Sequence, residues 1–261
     1  MAEKNNTVQS LERAIMLLEE LARHQDGCGI TYLSSLTGLH KSTVHRILNT
    51  LAVKGYIEKN AETEKYSLGM KFLYLSSAIL DQMDIRKIAK PLLEELCSKT
   101  GEVVHLSIMD DGEAVYIDKV ENPHKSIRMY SQIGKRVPLH CTGVGKILIA
   151  WLPDKDVEAI LEKHGMEPFT PYTITDIEKM KEHLKMIRKM GYAFDEMEHE
   201  EGIRCVAAPI YDIKGKVIAS VSVSGPVLHV TKERMPELIK EVIKTAEEIS
   251  YHLGYRAKTS I

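Results

Sequence analysis

The chain has 261 residues, with 35 Lys and Arg against 37 Asp and Glu and 44% hydrophobic residues, which excludes disorder and collagen-like order and suits a small domain joined to a larger one. No run reaches the roughly 18 apolar residues of a membrane helix, and the opening MAEKNNTVQSLERA lacks the apolar core of a signal peptide, so a cytoplasmic protein with no membrane partner is expected. The net charge of −2 argues against nucleic acid, yet no Asp or Glu stands between Gly27 and Ile57, where average composition would place about four.

Gln9 to Arg23 sets Leu11, Ile15, Leu18 and Leu21, with Ala14 and Ala22, at helical spacing and predicts an amphipathic helix. A Gly27-Cys28-Gly29 break precedes a short helix over Thr31 to Thr37, then Gly38-Leu39-His40-Lys41, then a second helix from about Ser42 to Val53 that Gly55 stops. Tyr56 to Lys59, a polar turn at 60–64, and Lys65 to Leu68 predict a hairpin. Three helices and a hairpin make a winged helix. Met70 to Met83 predicts a connecting helix with Leu73, Ser77 and Leu80 on one stripe.

Beyond Asp84 a helix is expected to about Thr100, kinked or split at Pro91. Strands follow at Val103–Met109, Glu113–Val120 and Ser126–Tyr130, with Asp110-Asp111-Gly112 turning between the first two. Helices are expected at Thr142–Trp151, Asp154–Lys163 and Asp176–Met190, strands at Tyr192–Asp195, Ile203–Tyr211 and Lys216–Ser224, and a closing helix at Lys232–Leu253. A sheet flanked by helices reads as α+β. Cys28, Cys97, Cys141 and Cys205 form no CxxC pair, so reduced thiols are expected, with neither a zinc ribbon nor a disulfide framework.

A short helix, a Gly-containing turn and a second helix have the spacing of a helix-turn-helix. In the second helix Val44, Ile47, Leu48 and Leu51 fall on one stripe and face the small core. Lys41, Ser42, Thr43, His45, Arg46, Asn49 and Thr50 are left outward, and their groups are those that bind phosphates and base edges. On the hairpin, Glu58, Glu62 and Glu64 leave only Lys59 and Lys65 able to approach phosphate. A solvated helix face is the plainer alternative; the acid-free window, the Gly turn and the wing favour double-stranded DNA. One winged helix makes few base contacts, so a symmetric dimer on a palindromic operator is expected, with the stripes of Gln9–Arg23 and Met70–Met83 as candidate dimer contacts.

In the larger region VPLHCTGVGKILIA invites a phosphate-loop reading, which fails because His140 stands where Gly is needed and Ile147 where Ser or Thr is needed. No nucleotide or other cofactor is called for. What survives is a Gly143-Val144 turn entering a helix, able to hold a carboxylate on its N–H groups or merely to pack helix on sheet. Ser222 and Ser224 share a strand face opposite Val221 and Val223. With Asp195 and Cys205 they would suit a hydroxylated or keto organic acid; alternatively Asp195 is a cap, Cys205 a small core residue and the serines face solvent. An enzyme of small organic acids is the competing function, with Cys141 or Cys205 paired to His140 or His199, or a metal held by Asp195, His199 and Cys205. The apolar setting of Cys205, between Ile203 and Val206-Ala207, argues against a nucleophile. A ligand-binding scaffold that never touches DNA is a weaker third reading.

The segments VQSLERAIMLLEELA, LSSLTGLHKSTVHRILNTLAVKGYIE and YSLGMKFLYL resemble the N-terminal domain of IclR-type bacterial transcriptional regulators. GEVVHLSIMDDGEAVYIDKVE, VPLHCTGVGKILIA, GYAFDEMEHEEGIRCVAAPI and IASVSVSGP are similar to that family's effector domain, so the likeness runs from about Val8 to Leu253. The resemblance implies a winged helix-turn-helix at 5–67, a linker helix at 68–83 and a GAF-like α/β effector-binding domain at 84–254. It also implies a metabolite-responsive regulator, acting as a repressor of a catabolic operon and assembled as a homodimer or dimer of dimers. The family's pocket uses a Gly-x turn, an Asp, a Cys and a Ser-x-Ser, which match Gly143 and Val144, Asp195, Cys205, Ser222 and Ser224. His140-Cys141 is a less familiar version of the segment before that turn. VENPHKSIRMYSQIGKRVPLH resembles the family's sugar-acid regulators, which implies a small organic or sugar acid, a uronate-derived keto acid among them, as effector.

Overall fold

The computed structural model describes residues 8–24, 26–81, 84–121 and 131–256, and the chain divides between residues 82 and 83 into two compact units. The first contains α1 (Gln9–Arg23), α2 (Ile30–Thr37), α3 (Lys41–Val53), the hairpin strands β1 (Ile57–Lys59) and β2 (Tyr66–Leu68), and α4 (Lys71–Asp81). Leu17, Leu21, Leu33, Val44, Leu48, Ile57 and Tyr66 form its core. The stripe expected along α1 does not lie on one face: Leu21 is buried and Leu18 half-buried, with Leu17, outside that stripe, in the core, while Leu11 and Ile15 are 61% and 54% exposed, so the helix carries a second apolar face that its own unit does not cover. On α4, Leu73 is exposed, and the side chain of Leu80 lies outside the described residues. Gly38 ends α2 in the left-handed region at φ 68°, the conformation that favours glycine and lets the chain reverse into α3. The Ser34 hydroxyl ties that turn by donating to the Leu39 carbonyl at 2.6 Å.

The second unit contains α5 (Asp84–Thr100), β3 (Val103–Asp110), β4 (Glu113–Val120), β5 (Arg136–Val137), α6 (Gly143–Ala150), α7 (Asp154–His164), α8 (Ile177–Met190), β6 (Ala193–Glu196), β7 (Ile203–Tyr211), β8 (Val217–Pro226) and α9 (Met235–His252). Its six strands form one antiparallel sheet in the order β5-β4-β3-β8-β7-β6. On one face, Val104, Leu106, Val206, Val221 and Val223 pack with Leu93 and Leu96 of α5 and Leu238 and Val242 of α9. On the other, Ala207 and Ala193 meet α6, α7 and α8 through Val144, Ile147, Leu161, Met180 and Leu184. The architecture is thus a winged helix-turn-helix unit followed by an α/β unit. Asp111 and Gly112, at φ 44° and 76°, make the tight β3–β4 turn that the Asp-Gly sequence announces.

One expectation needs amendment, and two features of the sheet were not read from the sequence. α5 runs unbroken through Pro91, which sits on its exposed side; Ala89, Leu93 and Leu96 are buried, and their packing outweighs one missing backbone hydrogen bond. The strand expected at Ser126–Tyr130 lies outside the described residues, and the two-residue β5 was not anticipated. A bulge in β4 leaves Ile117 as an extra residue, since Leu106 pairs with Asp118 and Ser107 with Tyr116. It places Ile117 in the α5–α9 core and Tyr116 against the α6 face.

Candidate DNA interface and ligand cavity

In the first unit, α3 buries Val44 and Leu48 and half-buries Ile47 and Leu51, which fixes the opposite face outward. Lys41, Ser42, His45, Arg46, Asn49 and Thr50 are exposed and Thr43 is half-buried. No acidic side chain lies in the first turn of α3, so its N-terminal N–H groups keep their attraction for phosphate. The Thr50 hydroxyl donates to the Arg46 carbonyl at 2.9 Å, which leaves it only as an acceptor toward a partner. On the wing Lys59 is bound to Glu64 across the hairpin, so Lys65, exposed, is the wing cation better placed to meet phosphate.

In the second unit Gly143, Val144, Asp195, Cys205, Ser222 and Ser224 all line one cavity of about 60 Å³. Four elements deliver them, and sheet register explains the meeting: Asp195 of β6 pairs with Cys205 of β7, which pairs with Ser224 of β8. Gly143 and Val144 open α6 above this floor. A Cβ on Gly143 would stand 3.1 Å from the Cys205 sulfur, so glycine allows the helix start to come down onto the strands. The Thr142 hydroxyl caps α6 by accepting from the Gly145 N–H at 3.1 Å. The N–H groups of Gly143 and Val144 precede the first intrahelical hydrogen bond and lie on the cavity.

Asp195 combines two of the roles weighed for it. Its Oδ1 accepts the Glu198 N–H at 2.7 Å and the His199 N–H at 3.4 Å, capping the 195–199 turn, while the residue also lines the cavity. Burial pushes its carboxyl up to about 7, against the opposing pull of the Lys146 ammonium. Lys146, fully buried on α6, is bound to Glu198 and joins the helix to that turn. Ser222 and Ser224 are 1% and 6% exposed, so the alternative in which they face solvent does not hold.

The thiol–imidazole pair weighed for catalysis exists as a contact, with Cys141 Sγ 3.6 Å from His199 Nδ1. Burial raises the Cys141 thiol far above its ordinary range and lowers the His199 imidazole, so both are neutral and a thiolate nucleophile is disfavoured. Burial likewise pushes the Cys205 thiol up to about 12. His140 gives its ring to the Glu167 carbonyl at 3.0 Å. Among the described residues no group of three or more His, Cys, Asp or Glu is placed to hold a metal, and no helix is long and apolar enough to cross a membrane.

The cavity has further walls that sequence reasoning missed: His105 of β3, Tyr116 of β4, Ser131 and Lys135 before β5, Glu200 before β7, and Ile203 at the start of β7. His105 had a readable signal. It alternates with the apolar Val104 and Leu106 in one strand, so it must face away from them.

Residues 77–251 match the family model described as the bacterial transcriptional regulator IclR C-terminal domain, and residues 10–61 match the IclR helix-turn-helix domain. The chain is 40% identical over 250 residues to the HTH-type transcriptional regulator XynR of Escherichia coli (strain K12), covering 96% of this chain and 99% of that protein. It is 35% identical over 249 residues to the transcriptional repressor IclR of the same organism, covering 95% and 90%. The crystal structure of the Thermotoga maritima IclR aligns with a TM-score of 0.80 at 35% identity, over 95% of this chain and 99% of that one. These relatives are regulators, and the competing reading as a cysteine- or metal-dependent enzyme finds no support among them. Matched in order by both domain models, the chain belongs to the IclR family of bacterial transcriptional regulators.

Proposed function

We propose that this regulator is a repressor of a catabolic operon that binds a palindromic operator as a homodimer or dimer of dimers and answers to a small organic or sugar acid. The convergence of Gly143, Val144, Asp195, Cys205, Ser222 and Ser224 on one cavity carries the effector part of this reading. An effector carboxylate sits at the free N–H groups of Gly143 and Val144, where the start of α6 favours negative charge. Ser222, Ser224 and an Asp195 that is partly protonated near neutral pH address its keto or hydroxyl oxygens. At about 10–15 Å³ for each water-sized group, the cavity of about 60 Å³ takes a compact acid first and longer ones by widening.

On the DNA side, Lys41, Ser42, Thr43, His45, Arg46, Asn49, Thr50 and Lys65 make the contacts, Arg46 and the two lysines with phosphate. The exposed Leu11 and Ile15 of α1 and Leu73 of α4 supply the N-terminal dimer contact. The effector acts by binding one arrangement of the dimer better than another, since equal affinity would shift nothing. The deciding experiment titrates the protein into labelled DNA from upstream of its own and neighbouring genes, at several salt concentrations, beside an unrelated duplex. Preferential binding that sugar acids or short 2-oxo acids release supports the reading; equal weak binding to both duplexes refutes its DNA part.

A further inference from the structure

We propose that His105 selects the effector: it holds a hydroxyl of the bound acid, so that hydroxylated carboxylic acids occupy the cavity in preference to unhydroxylated ones of the same length. This rests on the cavity being the effector site.

The argument begins with strand register. His105 stands in the middle of β3 and pairs directly with Ser222 of β8, both on the face turned toward α6. Its ring stacks on Tyr116 with centroids 4.5 Å apart and planes 30° apart, which sets the ring's plane. Its Nε2 lies 2.7 Å from the Ser131 Oγ, which sets its rotation. The side chain is therefore held at both ends before any ligand arrives.

What is left over points to a ligand. Nδ1 of His105 is buried and has no hydrogen-bond partner among the described residues, and beside it the buried Ser222 hydroxyl meets the Cys205 sulfur; both residues line the cavity. A buried polar atom without a partner is costly, and native proteins rarely leave one without a role. Residues directly opposite on antiparallel strands have Cβ atoms about 5 Å apart, so one small group can reach both.

The chemistry of that group follows from the ring's charge state. Burial, helped by the Lys119 ammonium, pulls the imidazole down to about 3, so it is neutral with one donor and one acceptor nitrogen. The Ser131 hydroxyl can donate to Nε2 or accept from it, and Nδ1 is correspondingly a donor or an acceptor. A hydroxyl satisfies either form and can serve Ser222 as well. A carboxylate only accepts, and finds its N–H donors at Gly143 and Val144. A methyl or methylene at this place would leave the buried Nδ1 unpaired, and sites built to bind a hydroxyl discriminate strongly against ligands lacking it.

The test is calorimetry on the full chain with glycerate and gluconate against pyruvate and propionate, for the native protein, His105→Phe and Ser131→Ala. In the native protein glycerate should bind at least about tenfold more tightly than propionate, which shares its three carbons, with pyruvate, whose keto oxygen accepts but does not donate, between them. His105→Phe keeps the bulk and the stacking on Tyr116, and should cost the hydroxylated acids about tenfold or more while leaving propionate within about threefold. If that variant does not fold, Ser131→Ala, at the half-buried rim, should show a smaller loss of the same selectivity. In the native protein, with ¹⁵N-labelled histidine, the His105 ring signals should move with glycerate and stay in place with propionate. Equal affinities for the four acids, or equal losses in the variants, would overturn the role of His105 while leaving the cavity an acid site. No binding of any of the four would overturn the acid-binding reading together with it.

Discussion

The face of α3 and the cavity under α6 present polar groups in opposite ways. On α3 they stand in water on one regular element, and Lys41, His45, Arg46 and Asn49 need only the burial of Val44 and Leu48 to be aimed. In the cavity they come from several elements, are withdrawn from water, and are held at a cost, as the raised Asp195 and the unpaired Nδ1 of His105 show. An exposed face binds by charge and adapts its long side chains; an enclosed one selects by leaving defined hydrogen bonds unmade.

If that contrast is right, the largest effect comes from removing what the cavity leaves unmade. Ser222→Ala with Ser224→Ala should abolish the response to effector and leave operator affinity within about twofold, since these residues lie in the second unit; a gel-shift titration with and without acid reads both. Next comes Asp195→Asn. The folded chain holds the Asp195 proton up to about pH 7, whereas the unfolded chain releases it near the ordinary carboxyl value of 3.8. The fold thus binds more protons in that window, and its stability falls as pH rises from about 4 to about 7. The Asn variant keeps an acceptor for the Glu198 N–H and should match the native protein near pH 4 in thermal unfolding. Above about pH 8 it should be the more stable, by on the order of 4 kcal/mol at most. A constant offset between the two across pH would show that Asp195 carries no raised carboxyl.

On α3, Arg46→Ala should weaken operator binding about tenfold, lower the salt slope by about one, and leave effector binding unaltered. An unchanged slope would mean that Arg46 meets no phosphate. The smallest effects separate the two faces of α1: Leu17→Ala should cost about 3 kcal/mol in denaturant unfolding, while Leu11→Ala stays within about 0.5 kcal/mol per monomer and shows itself in sedimentation as weaker self-association.

The regular parts of the fold could be read from the chain because helical and strand periodicity are local. Gln9–Arg23 and Ile203–Tyr211 have their expected limits. Which side of α1 is the core could not be read that way, since apolar residues cover much of its circumference and only the neighbouring α2, α3 and β2 choose Leu17 over Leu11. Ser222 and Ser224 could be paired by strand parity, and the family likeness joined them to Asp195 and Cys205. The placing of His105 beside Ser222 follows only once β3 is known to lie beside β8, 113 to 121 residues away in its paired positions, which no local pattern reports. The Lys146–Glu198 pair, separated by 52 residues, was likewise beyond reach.

That pair also bears on how this protein could be remade as a biosensor. Taking away one partner of a buried ion pair strands the other and costs about 3–5 kcal/mol, whereas replacing both by apolar residues of similar volume is often neutral. A library aimed at a new analyte should therefore change Lys146 and Glu198 jointly or leave them alone, and spend its diversity at the uncharged Ser131 and Ile203 on the cavity wall, where a substitution alters the shape of the site without isolating a charge inside it.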